Sequence, residues 1–130
     1  MSDHSQQARA IDQSYQYSKR IKKRKDYLFT QESGRKWSTT HFLLSATPAK
    51  SSNSRLGVTV TRKASKKAVL RNKLKRRIRE VFRRLYSYIL EPHDIVVIAK
   101  NGATECSYKE IKYELNYALR RLSLLNNKKK

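Results

Sequence analysis

Residues 71–83 read RNKLKRRIREVFR, from Arg71 to Arg83. The stretch is dense in fixed charge, yet it keeps an apolar rhythm. Wound at about 100° per residue, it brings Leu70, Leu74, Ile78, Val81, Phe82, Leu85 and Ile89 into one stripe roughly 120° wide. Arg71, Asn72, Lys75, Arg76, Arg79 and Arg83 fall on an adjoining stripe. A basic tail shows no such order. The pattern predicts a long helix from about Ser65 to Leu90, closed by Pro92, that is fastened to a core and presents cationic groups in a rigid row. Glu80 is the only acid between Arg62 and Leu90. A solvated helix normally mixes signs for i, i+4 support; this one repels itself unless a polyanion is present.

The whole chain makes the same demand. Its 130 residues carry 31 Lys and Arg against 10 acids, a formal net charge of +21. The length suits one compact domain with modest tails. Such a charge strains an isolated globule, and nucleic acid is the expected neutralising partner. A membrane surface is the weaker choice, because no apolar run approaches the roughly 20 residues of a spanning helix. The first 20 residues lack the apolar centre of a secretory signal, so a cytoplasmic location is expected. Cys106 is the only cysteine, which excludes an internal disulfide. His4, His41 and His93 are scattered along the chain, and no Cys/His pair has metal-ligand spacing. Gly34, Gly57 and Gly102 stand apart, so there is no glycine-rich phosphate loop. Cys106 could be a nucleophile but reads first as an incidental small residue at a turn, and a zinc module is not expected.

Working outward from the helix, Arg62, Lys63, Lys66 and Lys67 form a basic entry loop. Before it, Leu56–Thr61 alternates: Leu56, Val58 and Val60 point one way, Gly57, Thr59 and Thr61 the other. Thr40–Thr47 reads as another strand and Asp26–Gln31 as a short helix with Tyr27, Leu28 and Phe29. After the helix, Ile95–Ala99 is an apolar run suited to a strand covered on both faces. Ser107 and Glu110 form a capping-box pattern for a last helix whose core stripe is Ile111, Leu115, Ala118, Leu119 and Leu122. Residues 1–18 read as a polar tail, 19–124 as the domain and 125–130 as a basic tail. The order implies an α/β (α+β) fold, a small mixed sheet packed with three helices in a two-layer sandwich, and a βαβ crossover right-handed by default. Tyr27 and Phe29, beside a polar sheet face, either hold single-stranded nucleic acid by stacking or pack the first helix onto the core. Tyr113 and Tyr117, opposite the last core stripe, read first as surface cover, with RNA binding the alternative.

Arg71 to Glu80 closely resembles the signature helix of the bacterial ribonuclease P protein subunit, RN-x-x-KR-x-x-RE. Leu56–Lys63 resembles the strand and basic loop before that signature, Asp94–Ala99 the strand after it, and Arg24–Tyr27 the N-terminal entry. The resemblance covers about residues 19–122. Where the family carries a second aromatic four residues past the first, this chain has Gln31. The resemblance implies a left-handed crossover through the signature helix and no catalytic residues in the protein. It implies a ribozyme partner that cleaves precursor tRNA with Mg²⁺ held mainly by the RNA. It further implies RNA binding by the signature helix and loop (Arg62, Lys63, Lys66, Lys67, Arg71, Asn72, Lys75, Arg76, Arg79, Arg83) and a leader cleft at Tyr27, Phe29, Thr59 and Thr61. A structural ribosomal RNA-binding protein shares the charge without needing the signature. A DNA-binding regulator would need a helix-turn-helix or dimer seam, and an autonomous nuclease more carboxylates.

Overall fold

The structure, a computed structural model, describes residues 20–50 and 52–125. The polar tail expected at 1–18 and residues 126–130 lie outside the described residues. In chain order the elements are α1 (Arg24–Ser33), β1 (Arg35–Ser38), β2 (Phe42–Pro48), β3 (Arg55–Thr59), α2 (Ala68–Leu85), β4 (His93–Ala99) and α3 (Tyr108–Arg121). The sheet order is β1-β2-β4-β3. β3 and β4 are parallel and joined through α2, whereas β1–β2 and β2–β4 are antiparallel. The fold is therefore α+β, an open mixed sheet with three helices.

Alternation along the strands sorts the two faces. Phe42, Leu44 and Ala46 of β2, Leu56 and Val58 of β3, and Ile95, Val97 and Ala99 of β4 join one cluster with Leu74, Ile78, Val81, Phe82 and Leu85 of α2. Ile111, Leu115, Ala118 and Leu119 of α3 complete it. The opposite face carries Gly57 and Thr59, paired with Val96 and Ile98. There α1 lies over β2 and β4, anchored by a buried hydrogen bond between the hydroxyls of Thr30 and Thr47 at 3.0 Å. The Arg55 guanidinium adds a second anchor. It donates from Nε and Nη2 to both oxygens of buried Asp94, at 3.0 and 2.7 Å, and from Nη2 to Asp26 of α1 at 3.4 Å.

Several boundaries differ from the sequence expectation. The central helix ends at Leu85, and the chain tightens into a 3₁₀ turn at Tyr86–Tyr88. Leu70 is 36% exposed and Leu90 58%, so the core stripe runs from Leu74 to Leu85. Leu125, assigned to the tail, is buried and bridges to Ile89. β1 went unread because three of its four residues are exposed and it has no apolar alternation. Its geometry is set by Gly34, where an added Cβ would lie 2.6 Å from the Thr30 carbonyl oxygen and 2.9 Å from the Ala46 backbone. A further bridge pairs Arg20 with Leu56 along the β3 edge.

The last helix starts where its capping box places it: Ser107 Oγ accepts from the Glu110 N–H at 3.1 Å, and the Glu110 carboxylate accepts from the Ser107 N–H at 2.8 Å. Glu114 then ties this helix to the β1–β2 turn. Its Oε1 accepts from the Thr39 hydroxyl at 2.7 Å and the His41 N–H at 2.9 Å, and its Oε2 lies 2.6 Å from His41 Nδ1. Burial pushes the Glu114 carboxyl up, but the hydrogen bonds from His41 and Thr39 outweigh it and hold it below the usual value. The carboxylate therefore contributes stability above the ordinary glutamate range, and that contribution is lost as pH falls through the lowered value. Glu114→Gln should cost about 1–3 kcal/mol at neutral pH. It should also leave a shallower loss of stability on acidification, as read by urea melts at pH 7 and pH 4.

Candidate nucleic-acid interface

The basic row stands on α2 because the opposite side of that helix is held in the core. Asn72 and Arg76 are exposed, and Arg71, Lys75 and Arg79 are partly so. The entry loop places Arg62, Lys63, Lys66 and Lys67 on the surface at the same end. The first turn of α2 contains no acid, and its N-cap residue Lys67 makes no side-chain cap hydrogen bond. Its first N–H groups and the positive end of its dipole thus add to the lysines, an arrangement suited to phosphate.

The row is not uniform. Arg71 Nη1 donates to the Ser65 carbonyl at 3.0 Å, which stiffens the entry loop. Arg83 is paired with Glu80, at 3.1 and 2.7 Å, and Arg84 joins the same carboxylate at 2.9 Å. The Arg83 hydrogen bonds, with Arg84 behind them, hold the Glu80 carboxyl below its ordinary value. The only acid of the region is therefore shared by Arg83 and Arg84, which reduces the positive charge at the C-terminal end of the row and leaves the N-terminal end fully cationic. Arg79 is half-buried, and burial together with nearby Arg20 lowers its pKa. Arg77 is turned to the fold, donating to the Cys106 carbonyl at 3.2 Å.

On the α1 face of the sheet, Tyr27 lies against Gly57. An added Cβ at Gly57 would stand 2.8 and 2.9 Å from the Tyr27 ring, so glycine is what lets the ring rest on the strand. The Tyr27 hydroxyl is buried with no partner among the described residues. Burial raises its pKa. Two hollows meet at Thr59. One, of about 320 Å³, is lined by Ile21, Lys22, Lys23, Arg24, Tyr27 and Thr59. The other, of about 760 Å³, is lined by Gln31, Thr59, Thr61, Arg62, Lys63, Ile98 and residues 99–101. Together they form a groove with an apolar floor, hydroxyl-bearing walls and cations at both ends.

Of the residues read as leader-binding, Tyr27, Thr59 and Thr61 come together here. Phe29 sits elsewhere, 54% exposed with Lys50 Nζ 5.9 Å from its ring centroid. Gln31 lines the wall. The sequence reading missed Ile21 to Arg24, because a charged run shows no sign that it will pair along a strand edge. α2 packs on the other face of the sheet, and its Arg79 comes near Arg20 at the β3 edge.

The fold also gathers residues that the sequence scatters. The ligating atoms of His41, Cys106 and Glu114 lie within 4.8 Å of one another. Both Glu114 oxygens already accept hydrogen bonds, and burial, then Glu114 and neighbouring acids, push the Cys106 thiol up to about 11. At neutral pH that group is a thiol, a weak nucleophile and a weak ligand. Cys106→Ser should leave turnover in the ribonucleoprotein that the resemblance implies within a few-fold. A drop of about a thousandfold in a folded variant would mean that the chain supplies chemistry.

Comparison with known proteins agrees with the geometry. Residues 16–123 match the family model described as Ribonuclease P. A ribonuclease P protein component from Cyanothece is 30% identical over 123 residues, covering 82% of this chain and 94% of the relative. One from Idiomarina loihiensis is 44% identical over 85 residues, 65% of this chain and 67% of the relative. Among solved structures, the Staphylococcus aureus ribonuclease P protein superimposes with a TM-score of 0.75 at 34% identity, over 83% of this chain and 98% of that one. The Thermotoga maritima protein gives 0.68 at 34% identity, over 78% and 96%. The match spans both the row on α2 and the groove beside α1, and the chain belongs to the ribonuclease P protein family, the protein component of a tRNA-processing endoribonuclease.

Proposed function

We propose that this chain works by holding two RNAs at once, with the chemistry left to one of them. The N-terminal half of α2 and its entry loop grip the catalytic RNA of ribonuclease P. The groove at Tyr27, Thr59 and Thr61 holds the single-stranded 5′ leader of precursor tRNA. The observation that carries this reading is the groove's position: Arg62 and Lys63 of the entry loop are also part of its wall, so the two surfaces are continuous. A leader lying there would meet an aromatic ring, hydroxyls and cations, the groups that hold a single strand without demanding one sequence.

The protein's part in catalysis is then electrostatic and positional. Its cations screen the repulsion between substrate and catalytic RNA, and the groove aligns the leader with the scissile bond. Mg²⁺ is assigned mainly to the RNA. Among the described residues no helix is long and apolar enough to cross a membrane. A cytoplasmic ribonucleoprotein fits a chain of this charge.

Reconstitution tests the reading. The chain mixed with a bacterial ribonuclease P RNA should remove the leader from precursor tRNA at low Mg²⁺, where that RNA alone is slow. The chain without RNA should leave the substrate intact. Cleavage by the protein alone would overturn the division of labour.

A further inference from the structure

The outer side of α3 carries a second aromatic and cationic surface, which shares no residue with the leader groove or the α2 row. Tyr113 is 70% exposed and Tyr117 44%. Their rings stack at 6.3 Å between centroids and 17° between planes. Trp37 of β1 meets Tyr117 edge-on at 6.4 Å, and the Arg121 guanidinium lies 4.8 Å over the Trp37 ring. Lys109, Lys112, Asn116 and Arg120 line a hollow of about 460 Å³ with the two tyrosines. Trp37 also packs against the core, so the row of rings is rooted in the fold.

The acids of α3 do not cancel this charge. Glu110 is engaged by its own helix cap, and Glu114 faces Thr39 and His41. What remains is three exposed or half-exposed aromatic rings among cations and an amide. Tyr113 and Tyr117 are i, i+4 neighbours, so α3 itself sets the two rings side by side, and both stay exposed among the lysines. A second copy of this chain is disfavoured, since each copy carries +21 and would bring like charges together. Ring faces for bases and cations for phosphates together match single-stranded nucleic acid.

We infer that the Trp37–Tyr117–Tyr113 face of α3 is a second binding surface for single-stranded RNA, separate from the groove at Tyr27. It would let the assembled enzyme hold an unpaired segment other than the leader.

Trp37 is the only tryptophan in the chain, so its emission reports on this surface directly. Titrating the protein with an eight-nucleotide oligouridylate should quench that emission. Tyr113→Ala/Tyr117→Ala should raise the concentration for half-quenching about tenfold or more, since a stacked base is worth about 1–3 kcal/mol. Lys109→Glu/Lys112→Glu, at two exposed positions, should do the same and guards against a folding artefact. Tyr27→Ala should leave the Trp37 titration within about twofold. Emission that ignores the oligonucleotide would overturn the inference, as would a response abolished by Tyr27→Ala but untouched by either double variant. An emission maximum that shifts with protein concentration in the absence of RNA would instead make this face a contact between copies, and would equally overturn it.

Discussion

Arg71→Ala/Arg76→Ala should weaken binding to the ribonuclease P RNA by about a hundredfold or more at low salt. A charge-assisted hydrogen bond is worth about 1.5–3 kcal/mol, and two are removed. The slope of log affinity against log salt should flatten by about 1.5 units, because each lost phosphate contact removes roughly 0.7–0.9 from it. The fold should survive: neither residue belongs to the buried stripe from Leu74 to Leu85. Arg71 also holds the Ser65 carbonyl, so its part of the loss includes a looser entry loop. Arg76→Ala alone, at an exposed site, separates the two contributions. Arg83→Ala should cost less, since that side chain is already paired with Glu80, which it shares with Arg84. An unchanged salt slope in a folded double variant would remove the α2 row from the interface.

Tyr27→Ala should weaken binding of precursor tRNA to the assembled enzyme by roughly fivefold to a hundredfold, the loss of one stacked base. Mature tRNA has no leader, and its affinity should hardly change. Tyr27→Phe should be neutral, because the hydroxyl is buried without a partner among the described residues. The ring also packs on Gly57, so some fall in melting temperature accompanies the alanine variant. Equal losses for both tRNAs, beside a lower melt, would make Tyr27 a packing residue only and place the leader elsewhere.

What the sequence shows and what it hides follow from the range of the forces involved. α2 and α3 were legible because their apolar periods are local, and Ser107 with Glu110 marked the start of α3 because a capping box is complete within four residues. The early end of α2 was not legible. The apolar rhythm runs on past Leu85, while the chain is turned by tertiary contacts such as the Ser54 N–H donating to the Tyr86 hydroxyl at 3.1 Å. β1 was missed because an edge strand with exposed side chains carries no apolar signal, and only its pairing with β2 defines it. The groove was half-legible. The alternation at Gly57, Thr59 and Thr61 and the aromatic at Tyr27 pointed to it, yet Ile21 to Arg24 enter only through pairing at the β3 edge. The knot of His41, Cys106 and Glu114 is set by topology, since His41 lies far in the chain from the other two.

The central claim is that the sheet face beside α1 holds the leader while α2 holds the catalytic RNA. It is tested most directly by photo-crosslinking. A precursor tRNA carrying 4-thiouridine in its leader is bound to the enzyme assembled with a bacterial ribonuclease P RNA, irradiated, and the protein digested. The account predicts cross-links to peptides containing Tyr27 and Thr59–Lys63, lost when mature tRNA competes without a leader of its own only at much higher concentration. Cross-links confined to the RNA, or to the face of Trp37, Tyr113 and Tyr117, would contradict it.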